Sequence, residues 1–354
     1  MNGVEGAIMT AKPFDLGAAI LHFFNCLGRN PRGAIWIGIC QLVLIGVLSA
    51  VSLYILWPAF VGVFELAAAD ANGTLDDDEV LGRLLGIFGP FFGFFMLSIP
   101  VGIMASLSIQ AAWLRYLTKG EVKPLIPFRF GGDEVRLLGV NVMYVVMAVV
   151  GYAGIIVVAL VAGVGGAVAG EASGNAGVTG GAVFLAVMLV LITLGAVLVL
   201  AVKLASAPAM TIREGEFRFF ESWTATKGVF WKMLVAYLAV WVMMMVVSSV
   251  VGVVTQMILL GLFMPLIEML EPMTGTEDPQ IVFDAFLAAV STPGAIIGLV
   301  VAFLVSYAGQ IMMEAMWHSV GAYNAIRNDD DASAETDASH LDKDHPLGAS
   351  PSEG

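Results

Sequence analysis

Long apolar runs separated by short polar segments dominate this chain. They lie near 34–63, 85–113, 138–168, 181–205, 230–262 and 295–317. A helix rises 1.5 Å per residue and needs about 20 residues to cross the hydrocarbon core of a bilayer. Each run meets that length, and several have residues to spare for tilt or for reaching beyond the bilayer. Membrane-spanning strands would instead alternate apolar and polar residues over about ten positions. The runs here are unbroken. The expected fold class is therefore all-α: a polytopic membrane helix bundle of about six transmembrane helices in three hairpins, with in-plane amphipathic cytoplasmic helices.

Shorter elements fall between the runs. Over 14–28, Leu16, Ile20, Phe23, Phe24 and Leu27 recur at helical spacing while Asp15, His22 and Asn25 take another face. Such an amphipathic helix is too short to span and is expected to lie along the inner leaflet. Asp278 followed by Pro279 reads as a cap with proline at the first helical position. Ile281, Val282, Phe283, Phe286, Leu287 and Val290 then predict a short helix at the outer interface. Glu65, Asp70 and the acidic run from Asp76 to Glu79 form the first outer connection and are placed to cap the second span. Phe23-Phe24-Asn25, Phe128-Arg129-Phe130 and Phe217–Trp223 precede the first, third and fifth spans. They predict a threefold repeat of an in-plane helix followed by a hairpin.

Composition agrees: the chain is 59% hydrophobic and 13% charged, against about 45–50% and about 25% in soluble domains. Charge adds a direction. Fifteen of the sixteen Lys and Arg residues fall before the first span, after the sixth, or in the second-to-third and fourth-to-fifth connections, and Arg83 alone lies opposite. Because Lys and Arg gather on the cytoplasmic side, both termini are expected inside. Much of the net charge of −13 sits in the segment 328–354, whose acidic and small residues predict a disordered tail. The chain thus divides into an N-terminal cytoplasmic segment over 1–32, a six-span membrane domain over 33–327, and the acidic tail over 328–354. The first residues contain Glu5 and no basic stretch ahead of an apolar core, so no cleavable signal peptide is expected. Cys26 and Cys40 have neither the spacing nor the partners of a metal or redox pair.

One stretch carries a resemblance. Ser206-Ala-Pro208-Ala-Met-Thr-Ile-Arg-Glu214-Gly215, then Phe220-Glu-Ser222-Trp223-Thr224-Ala-Thr-Lys227-Gly228-Val-Phe-Trp231-Lys232, resembles the membrane domain of glycerophosphodiester phosphodiesterases. It is also similar to related stand-alone six-span bacterial proteins of unknown function. The likeness covers some thirty residues closely and the remainder only in span count and basic inner loops. It implies a span ending in proline, an acidic-glycine turn and a short helix re-entering the membrane. It implies a multi-pass protein of a bacterial inner (plasma) membrane. It does not imply phosphodiesterase activity, since the β/α-barrel catalytic domain of the two-part members has no counterpart in this sequence.

Candidate chemistry is sparse. Ionisable groups inside spans are costly and tend to be functional. Lys203 and Glu314 stand near the inner ends of the fourth and sixth spans, where an intramembrane ion pair would join them. The alternative is a lysine snorkelling to the interface and a glutamate near its helix end. Glu314 and His318 are four apart on one helix face, as metal ligands are, but the other histidines lie elsewhere. No metal, cofactor or catalytic group is assigned. Gln41, Gln110, Asn141, Gln256 and Gln310 read as interhelical hydrogen-bonding groups, or alternatively as the lining of a path. The glycines around 151–170 predict that the third span lies inside the bundle, and Met243–Met245, Met312, Met313 and Met316 read as core filler.

No Ser-His-Asp set, nucleotide loop or nucleic-acid surface is visible, so an enzyme is not expected. The reading is a non-enzymatic membrane module organising lipid or an unidentified membrane-protein partner. Arg213, Arg218, Trp223, Lys227 and Lys232 are the candidate contacts to the bilayer's anionic headgroups or to that partner. The alternative is a small-solute or lipid transporter, which requires a cavity reaching Asn141, Gln256 or Gln310.

Overall fold

A computed structural model describes residues 13–71, 77–123, 125–174, 176–270 and 279–343. Asp76 and Asp278, expected as helix caps, lie outside the described residues, as does the end of the acidic tail, 344–354. All regular elements among the described residues are helices: α1 (Leu16–Ile20), α2 (His22–Arg29), α3 (Pro31–Ala71), α4 (Asp77–Lys119), α5 (Gly132–Ser173), α6 (Ala176–Leu204), α7 (Ala207–Glu214), α8 (Glu221–Ala225), α9 (Phe230–Leu270), α10 (Pro279–Val290) and α11 (Pro293–Lys343). Six are long and apolar enough to cross a membrane. The protein is an all-α, polytopic membrane helix bundle.

Three hairpins form as expected, α3 on α4, α5 on α6 and α9 on α11. Their packing is uneven. In α4, α5 and α6 none of the most apolar 18-residue stretch is buried. Buried side chains gather instead at the end where the basic residues lie, hereafter the basic end: Leu107 to Leu117 of α4, Leu137 and Val140 of α5, Met233 to Val240 of α9 and Ile311 to Ala325 of α11. Surplus length explains this. A helix of 41 residues, such as α3 or α9, is about 60 Å long, twice the ~30 Å hydrocarbon core. The excess packs as a core of its own, a hub beyond which α3 stays against α11 and α10, while the α5–α6 hairpin extends with few neighbours.

The connecting elements complete the hub. The α6–α7 turn admits Pro208 in the first turn of α7, and α7 ends on Gly215 at φ 69°, the left-handed C-cap that glycine tolerates. Nearly all of α7 is buried. Ser222 Oγ of α8 donates to the Lys203 carbonyl (3.0 Å), and Asn324 Nδ2 of α11 donates to Ser206 Oγ (2.9 Å). Arg115 of α4 is buried against Glu134 (2.9 Å) and Asp133 (3.2 Å) at the start of α5. The other Glu134 carboxylate oxygen accepts from the Gly131 N–H (2.9 Å), capping α5.

Four expectations change. The amphipathic helix over 14–28 is two short helices that meet at Leu21, with Asp15 capping the first by accepting from the Ala18 N–H (3.0 Å). Part of its apolar face is covered by protein: Phe14 packs edge-on against Tyr323 and Phe23 against Trp113, because α4 and α11 project far enough to meet it, while Phe24 stays exposed. The threefold repeat is incomplete, since the segment before α5 forms no helix. Pro127 there lacks the amide donor a helix needs, and Leu125 takes a positive φ of 71°. The third span, α5, is not interior. Gly151 and Gly166 admit α6, while Gly154, Gly163 and Gly165 face open space. Last, α11 continues as helix to Lys343, where a disordered tail was expected from 328. Ala332, Ala334, Glu335 and Ala338 favour helix, and extending an existing helix requires no new nucleus.

At the opposite end α10 forms where expected. It packs on α3 by stacking Phe283 on Phe64, ring centroids 4.6 Å apart.

Candidate functional site

Where the hairpins leave the hub, α4, α5, α6, α7, α9 and α11 enclose a chamber of ≈ 310 Å³. Its polar and aromatic walls are Gln110, Asn141, Tyr144, Tyr237, Trp317 and His318. Pro208 and Ala209 of α7 line it where α7 follows the basic end of α6. Asn141 Nδ2 donates to Gln110 Oε1 (3.0 Å) and to the Leu137 carbonyl (2.9 Å), and the Tyr144 hydroxyl donates to the Leu204 carbonyl. Neither ring nitrogen of His318 has a hydrogen-bond partner among the described residues. No Asp, Glu, Lys or Arg side chain lines the chamber.

Two apolar crevices flank it. One, of ≈ 430 Å³, runs between α6 and α9 along Leu198, Val202, Leu234, Leu238 and Trp241, and shares Ala201, Ala205, Tyr237 and Trp317 with the chamber. The other, of ≈ 420 Å³, lies between α5 and α6 along Met147, Val150, Val197 and Leu200. Ala201 lines all three spaces. A larger side chain there would close them.

The ionisable residues singled out by sequence stand elsewhere. Lys203 and Glu314 do not form an ion pair. Lys203 Nζ lies over the rings of Trp223 (5.1 Å) and Phe230 (5.9 Å), a cation–π arrangement. The Glu314 carboxylate accepts from Gln41 Nε2 (2.8 Å), and Gln41 Oε1 accepts from Trp113 Nε1 (2.8 Å), which ties α11, α3 and α4 together. Glu314 and His318 are thus committed to different surroundings, and no group of three metal-ligating residues occurs among the described residues.

Arg218 is ringed by carboxylates of Glu214 (2.7 Å), Glu216 (3.0 Å) and Glu221 (3.4 Å). Glu214, then the other two, pushes its guanidinium further above its usual range. Lys232 is exposed, with Nζ donating to the Phe14 carbonyl (3.3 Å), and Lys227 and Trp223 are exposed as well. Arg213 is half-buried at the end of α7.

Gln41, Gln110 and Asn141 are the interhelical groups expected of them, whereas Gln256 and Gln310 are exposed. Sequence reasoning did not gather Tyr144, Tyr237 and His318 into one place. A signal existed: Gln110 precedes Arg115 by five residues, Asn141 follows Arg136 by five, and Tyr237 follows Lys232 by five. Equal offsets from a common basic level put those three side chains at one depth. On α2, His22 Nε2 meets the Leu117 carbonyl (3.0 Å), with Cys26 Sγ at 3.6 Å from the same nitrogen. Burial lowers the His22 imidazole and raises the Cys26 thiol.

Comparison of the chain with protein families, with curated proteins and with solved structures gave no match.

Proposed function

We propose that this protein is a non-enzymatic module of a bacterial inner membrane, its basic end and both termini cytoplasmic, that organises lipid within and between its hairpins. The pair of apolar crevices beside α6 supports this reading. They lie on α5, α6 and α9, helices long and apolar enough to cross a membrane, and on this reading the medium at their mouths is acyl chain. Between transmembrane helices there is no water to drive apolar surfaces together. A gap held open by a rigid hub fills with lipid. The test is to extract the protein with its surrounding lipid and count the molecules retained after delipidation. Ala201→Trp should release lipid that the wild type keeps. Equal retention by both proteins would refute the proposal.

The exposed Lys227 and Lys232, with the exposed Trp223, supply the contact to anionic headgroups. Arg218, neutralised by three carboxylates, contributes little. Lys227→Gln with Lys232→Gln should therefore reduce enrichment of anionic lipid around the protein, and Arg218→Gln should leave it unchanged. The transport alternative gains one supporting observation, the chamber at Asn141. A flux assay on reconstituted protein would decide it, since a lipid-organising module moves no solute.

A further inference from the structure

The crevices explain where chains lie; the chamber indicates which head they carry. This inference rests on the lipid reading above and narrows it. At ≈ 310 Å³ the chamber is at the small end of the ~300–1,000 Å³ usual for whole small-molecule sites. It accommodates a headgroup and leaves the chains to the α6–α9 crevice, with which it shares Ala201, Ala205, Tyr237 and Trp317.

Its walls select by charge. A phosphate brought here would be desolvated without a cation to pair with, because no Lys or Arg lines the space, and unpaired buried charge costs several kcal/mol. Depth points the same way. Gln110, Asn141 and Tyr237 each stand five residues into the bundle from Arg115, Arg136 and Lys232, about 7 to 8 Å at helical rise. Of these cations, Arg136 and Lys232 reach the surface; taken as the headgroup level, they put the chamber at the boundary of headgroup and chain, where glycerol hydroxyls and ester carbonyls are found. Pro208 and Ala209 line it towards the hub, so a bulky head has no space on that side.

The walls also offer matching groups. Asn141 uses its amide nitrogen on Gln110 Oε1 and the Leu137 carbonyl. Asn141 Oδ1, the Gln110 amide nitrogen and both His318 nitrogens have no partner among the described residues. Together they can accept from a hydroxyl and donate to an ester carbonyl.

We propose that the chamber is a headgroup site for a lipid with a small, uncharged hydroxyl head, of the diacylglycerol type, its oxygens meeting Gln110, Asn141 and His318 and its chains lying along α6 and α9.

The test uses the full-length protein in phosphatidylcholine nanodiscs doped with photoactivatable diacylglycerol, phosphatidic acid of the same chains, or a polyprenol. Crosslinks are mapped to peptides containing 198–205 and 234–241. Diacylglycerol should label these peptides more strongly than phosphatidic acid. His318→Phe, which fills the same ring position without nitrogen donors, should lower that preference about tenfold, as expected for one or two lost hydrogen bonds. Stronger labelling by polyprenol than by diacylglycerol would keep the uncharged hydroxyl chemistry and change its source. Equal or stronger labelling by phosphatidic acid would overturn the headgroup inference and leave the lipid-organising reading standing. Labelling that is equal for all three lipids and insensitive to Ala201→Trp would overturn both. The lipid comparison on the wild type needs no variant to fold, so it decides the matter alone if His318→Phe is unstable.

Discussion

Removing Glu134 tests whether the hub holds the hairpins together. Its side chain is 1% exposed and Arg115's is 5%, so neither is solvated in place of its partner. Arg115 Nη1 lies 2.9 Å from Glu134 and 3.2 Å from Asp133, and Nη2 donates to the Pro127 carbonyl at 3.4 Å. Stripping one partner from a buried pair costs about 3–5 kcal/mol because a charge is left uncompensated. Asp133 remains nearby and is 26% exposed, which places the loss near the lower bound, about 3 kcal/mol. Glu134→Ala also removes the acceptor for the Gly131 N–H, worth about 1 kcal/mol as a helix cap. The expected total is about 4 kcal/mol.

Asp133→Ala, which removes a half-exposed partner, should cost about 1 kcal/mol or less. Replacing the pair together, Arg115→Met with Glu134→Leu, should recover most of the loss, since no charge is then stranded. Thermal unfolding in a fixed detergent, followed by the near-ultraviolet signal of buried Trp113, measures all of these. If Glu134→Ala were no worse than Asp133→Ala, or if the double variant were as unstable as Glu134→Ala, the account of the hub would be wrong.

Three further outcomes follow from the same packing. A Cβ at Gly321 would stand 2.7 Å from the Ala205 carbonyl oxygen and 3.1 Å from the Tyr237 hydroxyl, so Gly321→Val should destabilise by about 1–3 kcal/mol in the same unfolding assay. Gln41→Leu strands both Trp113 Nε1 and the Glu314 carboxylate and should cost about 1–3 kcal/mol; adding Glu314→Leu and Trp113→Phe should restore stability. His22, lowered by burial and further by Arg29 against a hydrogen bond to Leu117, takes its proton more readily when α1 and α2 are undocked. Their docking is therefore complete above about pH 6.5 and weakens as pH falls below it. Hydrogen exchange over 15–29, corrected for intrinsic rate, should rise on acidification in the wild type and not in His22→Gln.

The spans were legible because length and apolarity are one-dimensional properties, and a helix satisfies its backbone within a single segment. The α10 helix was legible for a related reason: Pro279 and a short apolar repeat mark its start and its face. What sequence cannot supply is azimuth. Lys203 and Glu314 stand at comparable depth, yet they turn to different neighbours, Trp223 and Gln41. The chamber was hidden likewise. Tyr144, Tyr237 and His318 each interrupt an apolar run once, and each alone reads as a packing residue. Only the arrangement of three hairpins about α7 brings them together. The helix α7 itself was obscured because Ala-Pro-Ala-Met-Thr-Ile continues the apolar character of the span before it.

The division between a packed hub and an outlying α5–α6 hairpin has a physical origin that bears on function. In water, Val145, Val149, Val157 and Val161 of α5, all exposed here, would have to be covered. In a bilayer, acyl chains cover them as well as another helix does, so the distance between hairpins is unconstrained by hydrophobic collapse. It is set by groups that do need partners: Asn141 on Gln110, Tyr144 on Leu204, Gln41 on Glu314 and Arg115 on Glu134. Three of these four contacts join the α5–α6–α7 part to α4 or to itself at the basic end. Tyr144 and Leu204 line the α5–α6 crevice only at its basic end, and none of the four contacts reaches Val150 or Val197 further along it. The lipid between the hairpins therefore belongs to the fold: it supplies the packing that α5 and α6 lack on their outer faces. Delipidation should accordingly loosen the α5–α6 hairpin before it disturbs the hub, with exchange rising first over 145–200 and last over 107–117.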